Sequence, residues 1–311
     1  MRKHRDMGNT VKDILKKPSL LFMTLGHRGF FNWMSDEHYL RIAYIIKMGR
    51  KLNLSNPQSF SEKMQWLKLN DRKPEYTMMV DKYAVKDYVA GIIGKEYIIP
   101  TLGVWNNYDE IDFEKLPEQF VLKCTHDSGG LVICRDKNKL NQRSARRILN
   151  KCLKHNYFWG NREWPYKNVP HRIIAEKYIE PSPSTGDLPD YKFFCFNGEP
   201  KYCQVITGRQ NKMRIDFFDR DWNHLPFHEP KVFPFSETEL ECPEQFGEMW
   251  NLARQLAEDK AFSRIDFYNI RGKVYFGEIT FYPTSGMGGF SPDNWDLNFG
   301  NLINLSLLNV K

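Results

Sequence analysis

Apolar residues recur at helical spacing early in this chain and at every second position later. Leu40, Ala43, Tyr44 and Ile46 share one face of a helix expected over 36–50, and a second helix should begin at Ser59, where Ser59-Phe60-Ser61-Glu62 reads as a capping box. The first third is therefore expected to be mainly helical. After Pro100 the pattern changes. Residues 119–125 and 131–134 read as short strands separated by His126-Asp127-Ser128-Gly129-Gly130, a strand, glycine loop, strand unit. A helix follows through Ala145, Ile148, Leu149, Cys152 and Leu153, then a strand over 173–179. Pro181, Pro183, Gly186 and Pro189 mark a loop between two lobes. Strands over 191–196 and 201–206 flank Asn197-Gly198, a hairpin signal whose loop Glu199 and Pro200 should lengthen. A helix over 246–256 precedes a last hairpin that pairs 262–268 with 274–280. The reading is α+β, with antiparallel sheet in the second half. Four segments result: 1–51, a basic and partly amphipathic arm with a helix; 52–118, mainly helical; 119–180, a lobe with the glycine loop; and 181–311, a lobe with the last hairpin.

Composition narrows the class. With 311 residues, 41% hydrophobic and 27% charged, the chain is an ordinary globular protein large enough for two lobes. Its net charge of +7 is local: residues 1–51 hold eleven Lys/Arg against four Asp/Glu, leaving 34 of each sign (45 − 11 and 38 − 4) elsewhere. A neutral body has no electrostatic stripe for nucleic acid, and none is expected as a partner. Ser19 to Gly26 is apolar but is cut off by His27 and Arg28, well short of the ~18 apolar residues of a membrane span. No A-x-A-like cleavage site follows. The six cysteines contain no C-x-x-C pair and fit buried thiols in a reducing compartment, so a cytoplasmic location is expected and zinc is not. Phe22, Phe30, Phe31 and Trp33 interleave with Lys16, Lys17, Arg28 and Arg41. Two readings stay open: a peripheral contact with an anionic lipid surface at the inner face of the membrane, or an arm packed on its own domain.

The last hairpin carries the most chemistry. A turn near Gly272 sets Asp266 opposite Glu278, and the period of two places Arg264, Asp266, Glu278 and Thr280 on one face. Facing carboxylates repel unless a cation lies between them, and hard oxygen donors without His or Cys suit magnesium. Arg264 could then neutralise phosphate oxygens. The other reading pairs these carboxylates with surface lysines on an exposed face. In the glycine loop, backbone N–H groups of Ser128, Gly129 and Gly130 could cradle a phosphate within reach of Lys123; a plain β-turn is the alternative. His126 is a candidate acid or base, or a loop histidine bonded to a neighbour. Neither a Walker loop nor a Rossmann fingerprint is present, and no G-x-S-x-G elbow supports a serine hydrolase. His224 and His228 have metal-pair spacing, but Pro226 between them breaks the helix they would need. Asp219-Arg220-Asp221 has the Asp-x-Asp form of glycosyltransferase metal sites but reads as a polar turn.

Phe60 to Leu67, Asp81 to Lys86, Phe120 to Gly130, Asp190-Tyr191-Lys192, Arg264 to Tyr268 and Gly277 to Thr280, in this order, resemble the ATP-grasp superfamily. Within it they resemble the TupA-like branch, associated with teichuronopeptide and other surface-polysaccharide pathways and often labelled as glycosyltransferases. The resemblance covers roughly residues 36–300. It implies an ATP-grasp fold in which the lobes at 119–180 and 181–311 clasp ATP. It implies phosphate contacts from Lys123 and Lys82, and an adenine hinge at Glu176-Lys177-Tyr178-Ile179 with Glu176 or Asp190 near the amino group or ribose. Asp266 and Glu278 would hold Mg²⁺, with Arg264 and Lys192 on the transferred phosphoryl group. Thr280 stands where the superfamily usually has an asparagine ligand. Ser285 and Gly286 fall in the acceptor-substrate loop. The implied activity is an ATP-dependent amide ligation between an amine or amino acid and a small-molecule or glycan-linked carboxylate such as a uronic acid; the alternative is glycosyl transfer.

Overall fold

The computed structural model describes residues 18–127, 129–181, 188–208, 212–229 and 233–308. Lys16, Lys17 and the rest of 1–17, Ser128, Pro183 and Gly186 lie outside the described residues. Five helices come first: α1 (Pro18–His27), α2 (Asp36–Met48), α3 (Phe60–Asn70), α4 (Glu75–Val80) and α5 (Val85–Ile93). At the start of α3 both bonds of the Ser59/Glu62 capping box form, satisfying N–H groups that a helix end leaves orphaned. Gly49 closes α2 with a left-handed φ of 71° that costs glycine nothing.

A four-stranded antiparallel sheet follows in the order β1-β4-β2-β3, from β1 (Thr101–Trp105), β2 (Phe120–Cys124), β3 (Leu131–Cys134) and β4 (Ile173–Lys177). Strand β1 is absent from the sequence reading. Only Leu102, Val104 and Trp105 mark it, and it forms because β4 offers an edge. Helix α6 (Gln142–Leu153) covers this sheet, packing Ala145 and Leu149 on Phe120, Leu122, Ile173 and Ala175. A short helix, α7 (Phe158–Asn161), precedes β4.

The second sheet has five antiparallel strands in the order β7-β6-β5-β8-β9: β5 (Asp190–Phe196), β6 (Glu199–Thr207), β7 (Arg214–Phe218), β8 (Phe262–Ile270) and β9 (Lys273–Thr280). The loop between β5 and β6 is shorter than expected. Asn197 (φ 48°) and Gly198 (φ 84°) form it alone, and a register shift at Phe194/Cys195 absorbs Pro200 within the strand. Helices α8 (Phe246–Ala257) and α9 (Asn294–Leu302) close the core, where Phe60, Phe194, Phe196, Phe262 and Phe299 meet edge to face. Strand β5 is buried at all seven positions, so the polar Asp190 and Lys192 must find partners inside.

The described part of the arm packs on its own domain through some of its residues. Phe22 stacks on Phe31 at 4.6 Å and on Tyr39 at 5.1 Å, facing inward. Tyr39 donates to the Gly160 carbonyl at 2.9 Å, and the buried Arg162 donates to the Phe31 carbonyl at 2.6 Å, tying α1 and α2 to the segment after α6. Phe30 and Trp33 point outward, 63% and 79% exposed. No helix among the described residues is long and apolar enough to cross a membrane.

Candidate functional site

The two sheets face each other across a cleft of about 280 Å³. The first sheet and α5 supply Lys86, Lys123, Asp127 and Glu176, with Lys82 from the turn before α5; the second supplies Asp190, Lys192, Asp266 and Glu278. Register explains the second set. Lys192 pairs with Asp266 across β5 and β8, Asp266 with Glu278 across β8 and β9, and Arg264 with Thr280 one step along. A bulge at Asp266/Phe267 re-aims the strand just beyond this row.

These side chains form one charge network. Arg264 grips Asp266 bidentately, Nε to Oδ1 and Nη2 to Oδ2, each at 2.7 Å. Its Nη2 also donates to Glu278 Oε1 and Thr280 Oγ1, each at 3.1 Å. Lys192 bonds Asp266 and reaches Asp190 Oδ2 at 3.0 Å. Burial alone would lower Arg264, but Asp266 and Glu278 outweigh it and hold the guanidinium charged. Burial would raise the Glu278 carboxyl; Lys192, Arg264, Lys82 and Lys123 together pull it down to about 2. Asp266 is 2% exposed and bonded to the buried Lys192, so it does not pair with a surface lysine, whereas the Glu278 side chain is 43% exposed. Among the described residues no group of three or more His, Cys, Asp or Glu side chains forms a metal cage. Two carboxylates and the Thr280 hydroxyl converge instead, a hard donor set suited to a cation that shares its shell with phosphate oxygens.

Across the cleft, Glu176 bridges two lysines: Lys123 Nζ lies 2.5 Å from Oε2 and Lys86 Nζ 2.6 Å from Oε1. Burial opposes ionisation of Glu176, yet Lys123 and Lys86 overcome it and lower its carboxyl. Lys86 escaped the sequence reading, although it closes the Asp-Lys-Tyr-Ala-Val-Lys run one helical turn after Lys82. Lys82 Nζ donates to the Asp127 carbonyl at 2.6 Å. The Gly129 N–H is engaged by Asp127 Oδ1 at 2.9 Å, and Gly130 is small for a packing reason: an added Cβ would lie 2.8 Å from Cys124 Sγ.

Other candidates are placed elsewhere. Lys177 and Ile179 line an adjoining hollow of about 690 Å³ that shares Ile98 with the cleft, together with Tyr178, Ile270 and Tyr275. The Lys177 N–H donates to the Pro100 carbonyl at 3.0 Å and is not open to a ligand. His126 is buried behind the glycine loop, stacked on His171 at 3.8 Å with Nε2 on the Cys152 carbonyl, and does not line the cleft. Burial and His171 lower it to about 4, so the imidazole is neutral near pH 7. Ser285 and Gly286 are also buried, and the Ser285 hydroxyl donates to Glu163. None of His126, Ser285 and Gly286, the candidate substrate contacts, lines the cleft. Asp219 caps its own turn, accepting from the N–H groups of Asp221 and Asn223 at 2.9 Å each, which accounts for the Asp-x-Asp pattern. His224 bonds Asp216, and His228 stacks on Phe235.

Two antiparallel sheets that face each other over a lysine- and carboxylate-lined cleft define an ATP-grasp protein. The TupA-like ATP-grasp family profile matches residues 62–304, and the chain belongs to this family. No curated protein matches the chain. Similar solved structures include the D-alanine–D-alanine ligase from Bacillus anthracis complexed with ATP, at 17% identity over 66% of this chain and 54% of that one, with a TM-score of 0.36. The D-alanine–D-alanine ligase from Helicobacter pylori is 15% identical over 79% of this chain and 70% of that one, TM-score 0.38. A RimK domain ATP-grasp protein from Sphaerobacter thermophilus is 8% identical over 73% and 69%, TM-score 0.40. The chain spans little more than half the length of the Bacillus anthracis ligase.

Proposed function

We propose that this protein is an ATP-dependent carboxylate–amine ligase that joins an amino acid to a uronic acid, or another carboxylate, of a cell-surface polysaccharide precursor. The observation that carries the reading is the row Lys192, Asp266, Glu278 with Arg264, set on three adjacent strands opposite Lys82 and Lys123 in one cleft. Lys82 and Lys123 are assigned to the phosphates. The hollow beside Ile98 and Ile179, lined by both apolar and charged side chains, is assigned to the base, with Glu176 and Asp190 at the edge of the nucleotide. Asp266 and Glu278, with Thr280, are the residues that would hold Mg²⁺, which supplies charge neutralisation at the phosphoryl oxygens when bound.

The reaction is written as two displacements. A carboxylate oxygen of the acceptor bonds to the γ-phosphorus of ATP as the bridging bond to ADP breaks, giving an acyl phosphate. An amine nitrogen then bonds to the acyl carbon, the bond to phosphate oxygen breaks, and the amine releases a proton. Arg264 and Lys192 act on the first step by stabilising charge spread over the transferring oxygens. Arg264 is suited to this because its Nε and Nη2 edge is fixed by Asp266 and Glu278 and loses little freedom on reaction.

A peripheral contact with the inner face of an anionic membrane is part of the proposal. Phe30 and Trp33, exposed in the turn between α1 and α2 beside Arg28, support it. The glycosyl-transfer reading finds no such support, since Asp219 is engaged in its turn. The test is ADP and phosphate release with Mg-ATP, screening amino acids against nucleotide-linked uronic acids, with Asp266→Asn as the blank. Release that requires both an amine and a carboxylate and vanishes in the blank is expected. Absence of turnover together with absence of ATP binding in calorimetry would overturn the ligase reading.

A further inference from the structure

Between Asp136 and Glu163 the chain has eight Lys/Arg and no Asp or Glu, a local excess that the neutrality of the body as a whole conceals. Helix α6 turns this excess outward. Ala145 and Leu149 face the first sheet, while Arg143, Arg147, Lys151 and Lys154 are all exposed. At about 100° per residue the four fall within an arc of about 80°, and at a rise of about 1.5 Å per residue they form a ladder roughly 16 Å long, which Lys154 completes as the C-cap. None of the four is in an ion pair among the described residues; Arg146, on the flank, pairs with Asp109 at 2.5 Å. Like charges three or four residues apart weaken a helix, so the ladder works against the fold and has no partner inside it.

Two observations restrict what lies on it. The inward residues of α6 pack on Phe120, Leu122, Ile173 and Ala175, whereas Lys123 and Glu176, at alternate positions of the same strands, line the cleft. The ladder is therefore on the opposite side of the sheet from the cleft, out of reach of the nucleotide. The second observation is its neighbour. The turn between α1 and α2 docks on the segment that leaves the ladder: an added Cβ on Gly160 of α7 would lie 2.1 Å from His27 Nδ1, and Arg162 donates to the Phe31 carbonyl at 2.6 Å. That turn carries Arg28, Phe30 and Trp33, all exposed. A row of cations on a convex helix surface, next to unburied aromatic rings, matches an anionic bilayer, with headgroup phosphates for the ladder and the acyl boundary for the rings. A nucleic-acid duplex would satisfy the cations and leave the rings in water.

We infer that the outer face of α6, through Arg143, Arg147, Lys151 and Lys154, docks the protein on an anionic lipid surface, with the turn that carries Phe30 and Trp33 as its apolar anchor. The inference rests on the peripheral contact proposed above and adds the surface that makes it. The test is co-sedimentation with vesicles of phosphatidylcholine alone and of equal parts phosphatidylcholine and phosphatidylglycerol. Two variants of equal net charge are compared: Arg143→Gln, Arg147→Gln, Lys151→Gln and Lys154→Gln combined, and a control in which the exposed Lys201, Lys212, Arg220 and Arg254, around the second sheet, are changed to Gln. Each cation at the surface is worth about fivefold in partitioning, so the ladder variant should lose about 100-fold or more of its binding to the anionic vesicles and the control less than about fivefold. Wild-type binding should weaken as salt is raised. The ladder variant should keep its Tm and its Mg-ADP affinity, since the four side chains touch neither the core nor the cleft. Vesicle binding by the ladder variant within about fivefold of wild type, or a loss as large in the control, overturns the ladder and leaves the membrane contact standing. An Mg-ADP affinity that falls together with vesicle binding overturns it as well, by putting the ladder in the cleft's chemistry. A wild type that sediments with neither vesicle, or that binds a DNA duplex in their place, removes the membrane contact and the ladder's role with it. The vesicle comparison needs no turnover, so it holds whatever the release assay says of the ligase reading.

Discussion

Asp266→Asn exchanges one oxygen for nitrogen at the centre of the cleft and separates two effects of different size. The wild-type carboxylate receives two bonds from Arg264 at 2.7 Å and one from Lys192. Arg264 and Lys192 with Asp190, Asp266 and Glu278 sum to −1 (2 − 3), and the substitution brings that sum to zero. Breaking a buried ion pair typically costs ~3–5 kcal/mol when a cation is left alone. Here Asp190 stays 3.0 Å from Lys192 and Glu278 stays 3.1 Å from Arg264, so the low end applies, about 3 kcal/mol. At roughly 2 °C per kcal/mol for a chain of this size, Tm should fall by about 6 °C and leave the protein folded. Turnover should fall much further. Weakening the hold on the magnesium ion that would neutralise the developing phosphoryl charge is worth about 4 kcal/mol, or roughly 10³-fold in kcat. Thermal melts and ADP release on the same samples read both quantities. Turnover within about tenfold of wild type, with an unchanged magnesium requirement, would refute the role given to Asp266.

Three further outcomes are expected. Burial raises the Glu229 carboxyl to about 7, so the native state holds that proton at pH values where the unfolded chain has released it, and stability falls as pH rises from about 4.5 to 7 by up to about 3 kcal/mol. Glu229→Gln cannot titrate, and its Tm relative to wild type should climb by several degrees between pH 5 and pH 8; a difference independent of pH would refute this. Gly300→Ala would place a Cβ 2.1 Å from the Gln58 carbonyl and 2.8 Å from the Phe60 nitrogen, where α9 meets the start of α3, and should cost about 2–3 kcal/mol in urea unfolding. A cost near zero would mean that α9 shifts freely. Replacing Phe30 and Trp33 with Ser should weaken binding to anionic vesicles by about tenfold at unchanged Tm, since both rings are exposed; equal binding would remove the membrane contact.

What was legible in the sequence was local. Arg264, Asp266, Glu278 and Thr280 could be read as one face because a single tight turn fixes the register of β8 on β9, and the bulge falls beyond the pair that matters. The helix at Ser59 could be read from its capping box. Contacts across the chain were not legible. Lys86 and Glu176 are 90 residues apart (176 − 86), and nothing near either says that they meet. Thr284 and Glu229, or Ser285 and Glu163, look like ordinary loop residues until the fold buries them together. The packing side of the glycine loop was illegible for a related reason: Gly130 answers to Cys124 and Cys152 beneath it, and the N–H of Gly129 is engaged by Asp127. β1 was missed because its partner, β4, lies about 70 residues on.

The charge inventory of the cleft predicts which form of nucleotide it accepts. Lys82, Lys86, Lys123 and Lys192 line it against Asp127, Glu176, Asp190, Asp266 and Glu278, a sum of −1 (4 − 5), and Arg264 brings it to zero. Lys123, Lys192 and Arg264 already have carboxylate partners at 3.1 Å or less. A bare polyphosphate would have to displace Glu176 from Lys123 and Asp266 from Lys192, leaving buried carboxylates beside its own charge, an arrangement that costs several kcal/mol per unpaired ion. A magnesium ion entering with the nucleotide removes that conflict, because the displaced Asp266 and Glu278 become its ligands. Calorimetry of ADP with magnesium and with EDTA should therefore differ by at least about 100-fold in Kd, on the order of 2.7 kcal/mol. The difference should shrink in Glu278→Gln, which surrenders one ligand, and should persist in Lys86→Met, which leaves both carboxylates in place. Equal affinity with and without magnesium would mean that the lysines alone carry the phosphates and that the Asp266 and Glu278 row serves another purpose.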